Sequence, residues 1–234
     1  LAVKQTHWDA GLLDGLVRLA ASGVRLAAFQ NGLGHAEKLT EAGVPPEMLY
    51  LAVTTEGARR EGPNLVAHTG RGRTWIGPVR RDGPTEALNP LLGLLAASGF
   101  EAEAETDIER RIWRKLLVNA AINPLAAVFG VRNGELVEIE RCRRVMRAAL
   151  LEALAVARAA GMAPEGDAWA EVLDVCRKTA RNDASMLQDV RAGRETEIES
   201  ITGALIREAA RRGVPVPVNE ALYRLGAAVT SPDT

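Results

Sequence analysis

Residues 100–127 read FEAEAETDIERRIWRKLLVNAAINPLAA, and a change of period inside this stretch divides the chain. FEAEAETD alternates in the manner of a strand with one face on a core. From about Ile108 the apolar residues recur every three to four positions, the spacing of a helix. An edge strand is therefore expected to end near residue 107, and a helix to follow over roughly 108–128.

Upstream of that point, strands and helices alternate. LAVKQ reads as a short strand, DAGLLDGLVRLAASG as a helix closing on Gly23, and VRLAAFQNG as a strand entering a turn. GHAEKLTEAG is helical in period. LYLAVTTEG, PNLVAHTG and RTWIGPV read as strands separated by Gly-rich turns, and ALNPLLGLLAASG as a further helix. Gly70, Gly72 and Gly77 are spaced like hairpin turns and not like a phosphate cradle. Downstream, helical periods cover roughly 108–128, 138–161, 167–190 and 196–212, with no strand between them. The expected fold is α/β plus all-α: a partial doubly wound sheet of Rossmann type over 1–107, then a C-terminal helical domain over 108–234.

Composition narrows the function. A hydrophobic content of 47% and a charged content of 25% are those of an ordinary globular chain. A net charge of −1 argues against a nucleic-acid surface, which needs excess Lys and Arg. The arginine-rich region from Arg59 to Arg81 is diluted by acids and glycines and reads as solvated surface. Cys142 and Cys176 have no CxxC neighbour, so a reduced, cytoplasmic setting is expected. His7, His35 and His68 share no metal-ligand spacing, so no metal is expected. No apolar run reaches 18 residues and no signal peptide is present, so neither a membrane span nor secretion is inferred.

The helix over 108–128 carries an anomaly. Lys115, Asn119 and Asn123 stand four apart among Leu116, Leu117, Val118, Ala120, Ala121 and Ile122. At about 6 Å of rise per four residues they form a polar stripe along one side. A buried lysine is costly unless it is paired or its pKa falls. The stripe is either a wet face or a proton-donating lysine beside amides that orient a polar ligand, and spacing alone does not choose. Pro124 removes a backbone bond and is expected to bend the helix or free a carbonyl near Ala120.

Three segments carry a resemblance: WRKLLVNAAINPLAAVFGVRNGEL (113–136), NDASMLQDVRAGRETEIESITG (182–203) and FQNGLGHAE (29–37). Together, in this order and spacing, they resemble the ketopantoate reductases (2-dehydropantoate 2-reductases) of the wider 6-phosphogluconate-dehydrogenase-like group. The resemblance runs from the first residue to about Leu225. It implies reduction of 2-dehydropantoate to pantoate by NADPH, within pantothenate and coenzyme A biosynthesis. Lys115 matches the family's proton donor, and Asn119 and Asn123 match the asparagines that hold the substrate's hydroxyl end. Asn133 matches a further substrate contact and Ser185 the serine that binds the substrate carboxylate. Asn31 matches an asparagine that touches both substrate and nicotinamide. Glu197 matches a glutamate at the reacting centre near the nicotinamide riboside, and Lys4 and Ala58 match cofactor-side positions. The implied partner is a small 2-keto acid, with a homodimer as the candidate assembly.

Ser185 and Glu197 are 12 positions apart. An unbroken helix would separate them by about 18 Å and rotate them about 120° from each other. A shared site requires a break, and Ala192-Gly193-Arg194 is the natural place for it. The family also opens with a strand and a GxGxxG turn that cradles pyrophosphate, and this sequence contains no such fingerprint. LAVKQTHW corresponds to a strand that follows two βα units in the family, which points to a truncated product or a late-starting gene model, with a real remnant as the third reading. Loss of those units would leave an apolar sheet edge prone to aggregation. Two rivals stand beside the family reading: a reductase of another branched 2-keto acid, and a truncated, non-catalytic helical dimerisation or binding module.

Overall fold

The computed structural model describes residues 1–230, with side chains to residue 229. The chain packs as two compact units. One comprises Leu1–Gln30 and His35–Arg111, the other Asn31–Gly34 and Ile112 onward.

The first unit holds a Rossmann-like sheet. Its strands are β1 (Leu26–Ala28), β2 (Leu49–Thr54), β5 (Arg73–Pro78) and β6 (Glu101–Ala104), in the order β1-β2-β5-β6. β1 pairs with β2 in parallel, and β5 with β6 likewise. β2 and β5 are antiparallel, with Leu51 opposite Gly77. The reversal follows from the connection: β3 (Gly57–Gly62) and β4 (Leu65–Gly70) form a separate hairpin between them. The chain thus returns beside β2 without the helical crossover that a parallel neighbour needs. Gly77 accordingly lies inside β5, not in a hairpin turn.

Around this sheet lie α1 (Ala10–Ala21), α2 (His35–Glu41) and α3 (Asn89–Ala97). Asp9 caps α1 by accepting from the Leu12 N–H at 2.8 Å. Tyr50, Ala52, Ile76 and Leu88 form a small core against which Leu91, Leu92 and Leu95 pack. LAVKQ departs from the expected strand. Leu1 exchanges backbone bonds with Ala27 and Phe29, and the chain then tightens into a 3₁₀ turn at Gln5–His7. The Gln30 side-chain amide donates to the carbonyls of Leu1 and Val3 at 3.1 and 2.8 Å.

The second unit is helical: α4 (Ile108–Phe129, its first residues in the other unit), α5 (Asn133–Glu138), α6 (Glu140–Ala159), α7 (Ala168–Lys178), α8 (Ser185–Arg191), α9 (Ala204–Arg211) and α10 (Pro217–Thr230). α4 runs through Pro124 and buries Trp113, Leu116, Leu117, Ala120, Ala121 and Leu125. A helix this apolar around its circumference is central to its unit. α6 buries Met146, Ala149, Leu150, Ala153 and Ala157 at helical spacing. The Glu152 carboxylate on α6 accepts from the Val218 and Asn219 N–H groups, at 2.9 and 3.0 Å, and so caps α10.

One helix, α5, lies outside the expected segments, and one expected helix is divided. Extended backbone at Ile139 separates α5 from α6. The segment 167–190 breaks after Lys178, because the Ala180 and Asn182 carbonyls turn to accept from Gly134 and Asn133 of α5. The segment 196–212 opens with a π-helical turn at Glu199–Gly203. No helix among the described residues is long and apolar enough to cross a membrane.

Candidate active site

α4 presents Lys115, Asn119 and Asn123 one turn apart, as their spacing predicts. Lys115 and Asn119 are half-buried and Asn123 is buried. The Asn123 side-chain amide donates to the Ser185 hydroxyl oxygen at 3.3 Å. Ser185 opens α8 and is itself exposed. Its oxygen accepts from Asn123, so its own proton is directed elsewhere, as a donor toward an anionic or carbonyl oxygen.

The stretch between Ser185 and Glu197 breaks where expected. α8 ends at Arg191, and Gly193 takes a φ of 60°, a conformation that a side chain disfavours. Arg194 fastens the turn by pairing with the buried Asp189 at 3.1 Å. The chain then delivers Glu197 to the interior, where it is 6% exposed.

Glu197 meets two groups. Its carboxylate accepts from the Asn31 side-chain amide at 2.9 Å. It also acts on Lys115. Burial lowers the Lys115 pKa from 10.5 to about 8, and the Glu197 charge opposes that shift. Desolvation thus wins over attraction, and the lysine can exchange a proton near neutral pH. Asn31 reaches this position because the segment Asn31–Gly34 packs with the helical unit. The Leu33 N–H donates to the Ser200 carbonyl at 3.0 Å, and the Leu33 side chain lies against the helical core.

Asn133 is placed differently. It starts α5, is 7% exposed, and its amide donates to the Thr179 hydroxyl at 2.8 Å. Its backbone N–H donates to the Asn182 carbonyl. Asn133 therefore ties α5 to the segment after α7. Lys4 and Ala58 belong to the first unit: Lys4 precedes the 3₁₀ turn and Ala58 sits in β3 opposite His68. Among the described residues, no group of three His, Cys, Asp or Glu could hold a metal.

Lys115, Glu197 and Asn31 thus form one group, and Asn123 with Ser185 another. The sequence reading passes over Ser200 and Thr179. Ser200 acts through its carbonyl, which no side-chain pattern announces, and Thr179 falls inside a period that reads as unbroken helix. The donor set suits the nicotinamide end of a dinucleotide. A buried carboxylate accepts from ribose hydroxyls, and a primary amide both donates to and accepts from a carboxamide.

Residues 1–81 match the family described as "Ketopantoate reductase PanE/ApbA", and residues 107–230 match its C-terminal counterpart. The 2-dehydropantoate 2-reductase of Archaeoglobus fulgidus is 38% identical over 208 residues, which cover 88% of this chain and 68% of that protein. The chain spans about two thirds of the length of the curated relatives it matches, 66% and 68% in two cases. A crystal structure of a PanE/ApbA family ketopantoate reductase from Ralstonia eutropha JMP134 superimposes with a TM-score of 0.86 at 28% identity, covering 97% of this chain and 74% of that one. The ternary structure of D-mandelate dehydrogenase with NADH and anilino(oxo)acetate superimposes with a TM-score of 0.83 at 28% identity, covering 94% and 72%.

Proposed function

The chain belongs to the ketopantoate reductase family, and from that premise we propose that it serves NADPH-dependent reduction of 2-dehydropantoate to pantoate. The observation that carries this reading is Lys115: a lysine with its pKa lowered to about 8, facing a buried carboxylate on a helix that also bears Asn119 and Asn123. Bound reduced nicotinamide supplies the hydride. Lys115 Nζ donates its proton to the keto oxygen, and its charge stabilises the oxyanion that forms there. Glu197 keeps that lysine protonated at neutral pH, and Asn31 holds Glu197 in place.

The remaining polar residues orient the substrate. Ser185 donates to the carboxylate, with its proton directed by Asn123. Asn119 and Asn123 would face the hydroxyl end, whereas the Asn133 amide, matched to a further substrate contact in the family, is engaged with Thr179. Asn31 and Glu197 would hold the nicotinamide riboside, while Lys4 and Ala58 serve the cofactor from residues 1–107, the nucleotide-binding region in this reading. Residues 108–234 form the substrate and catalytic region. A reduced cytoplasmic setting suits Cys142 and Cys176, both buried and free.

A second reading has its own support, because D-mandelate dehydrogenase shares the fold and its structure holds a different oxo acid. Oxidation of NADPH and of NADH, followed at 340 nm with ketopantoate and with benzoylformate, separates the two. Ketopantoate is expected to be the better substrate, and Lys115→Ala is expected to lose about 10²-fold or more in kcat with its circular dichroism unchanged. Preference for benzoylformate would select the second reading. A folded protein inactive with every oxo acid and nucleotide would leave a binding module.

A further inference from the structure

The Asn31–Glu197 pair depends on a backbone contact that neither side chain makes. Gly32 has a φ of 83°, and a Cβ built on it would lie 1.9 Å from the Ser200 carbonyl oxygen and 2.5 Å from its carbon. Those are main-chain atoms in the π-helical turn Glu199–Gly203, so no rotamer change relieves the clash. The same carbonyl accepts from the Leu33 N–H at 3.0 Å. A π turn widens the helix and changes which carbonyls are bonded within it, and such turns gather at functional sites. Here one of its carbonyls is bonded to the Asn31–Gly34 segment, two residues beyond Asn31 and three beyond Glu197.

The turn is braced on its other side. The Glu199 carboxylate accepts from the Tyr223 hydroxyl at 2.5 Å and pairs with Arg207. Glu197 precedes the turn, and its carbonyl accepts from Ile201 N–H at 3.0 Å and from the Ser200 hydroxyl at 3.2 Å. Docking on Ser200 therefore sets both ends of the Asn31–Glu197 bond at once.

We propose that Gly32 is a positioning residue: its bare Cα lets the Asn31–Gly34 segment dock on the Ser200 carbonyl, and this dock fixes Asn31 against Glu197 and so the charge that faces Lys115. The role attributed to Lys115 rests on the proposed function, but the dock and the charge can be tested without turnover.

Gly34 is the internal control. Its φ of 87° matches that of Gly32, but a Cβ there meets nothing within 4 Å. Gly32→Ala and Gly34→Ala therefore carry the same backbone strain, and only the first meets Ser200. The readout is the Lys115 pKa, titrated by NMR of ¹³C-labelled lysine in the unliganded protein. The chain has four lysines, Lys4, Lys38, Lys115 and Lys178, so the signals are separable. A displaced Glu197 no longer opposes desolvation. Gly32→Ala is thus expected to lower the Lys115 pKa by about half a unit or more, with Gly34→Ala leaving it unchanged. Equal shifts in both variants, or none in Gly32→Ala, would overturn the proposal.

Should Gly32→Ala not fold, hydrogen exchange in the unaltered protein decides. The Leu33 amide is expected to exchange on the order of a hundredfold more slowly than in open chain, and open-chain exchange would overturn the dock. Failure of the unaltered protein to turn over ketopantoate would count against the proposed function alone, since neither the lysine titration nor the amide exchange depends on it.

Discussion

The Asn31 side-chain amide donates to the Glu197 carboxylate at 2.9 Å, joining positions 166 apart in the sequence. A carboxylate held this way stays where its charge offsets the desolvation of Lys115, whose pKa nonetheless falls to about 8. Desolvation sets the fall of the Lys115 pKa, and the Glu197 charge limits it.

With Lys115 as the proton donor in the proposed function, activity should hold below about pH 8 and decline as pH rises through that value. In Glu197→Gln the opposing charge is gone and desolvation acts alone. The alkaline decline should then begin at lower pH, by about one unit. The pH profile of ketopantoate reduction in the two proteins checks this, and coincident alkaline limbs would remove Glu197 from the account.

The Asn123–Ser185 hydrogen bond predicts coupling between the two residues. Ser185→Ala and Asn123→Ala should each raise KM for the keto acid. The double variant should fall short of the sum of the two by about 0.5–1.5 kcal/mol, because one bond is lost in both. Strictly additive effects in the four-protein cycle would show that the residues act separately.

Asn133 joins α5 to the segment after α7 through Thr179 and the Asn182 carbonyl. Asn133→Ala removes one partner of the half-buried Thr179 hydroxyl and should cost about 0.5–1.5 kcal/mol of stability, whatever it does to KM. Urea unfolding measures the loss. An unchanged midpoint would mean that Asn133 serves ligand binding alone.

His35 starts α2, is 2% exposed, and neither ring nitrogen has a hydrogen-bond partner among the described residues. Burial lowers its pKa from 6.5 to about 4. The unfolded chain thus binds the proton more readily between pH 4 and 6.5, and the sign follows: stability is fully present above about 6.5 and is lost as pH falls toward 4. His35→Leu should flatten this acid limb. Thermal midpoints of both proteins from pH 4 to pH 7 test it, and parallel curves would assign the acid loss to other groups.

Much of the architecture is legible along the chain because its cause is local. The shift from alternation to helical period near Ile108 reflects which face of each element is buried, and neighbouring residues suffice to encode that. Gly193 breaks the chain between Ser185 and Glu197 as its sequence predicts, since a left-handed φ is a property of one residue. The stripe of Lys115, Asn119 and Asn123 is a consequence of helical pitch.

Other features have no local cause. LAVKQ has the composition of a strand, but after Leu1 meets Ala27 and Phe29 the chain tightens into the 3₁₀ turn at Gln5–His7, with the Gln30 amide on the Val3 carbonyl. The segment 167–190 keeps its apolar period across the break after Lys178, because the break serves α5, some fifty residues earlier. The π turn arises inside a normal helical pattern, where Ser200 gives its carbonyl to Leu33. Pairing Asn31 with Glu197 is of the same kind. A hydrogen bond needs atoms within about 3 Å, and chain distance says nothing about that until the backbone has folded to bring Gly32 onto Ser200.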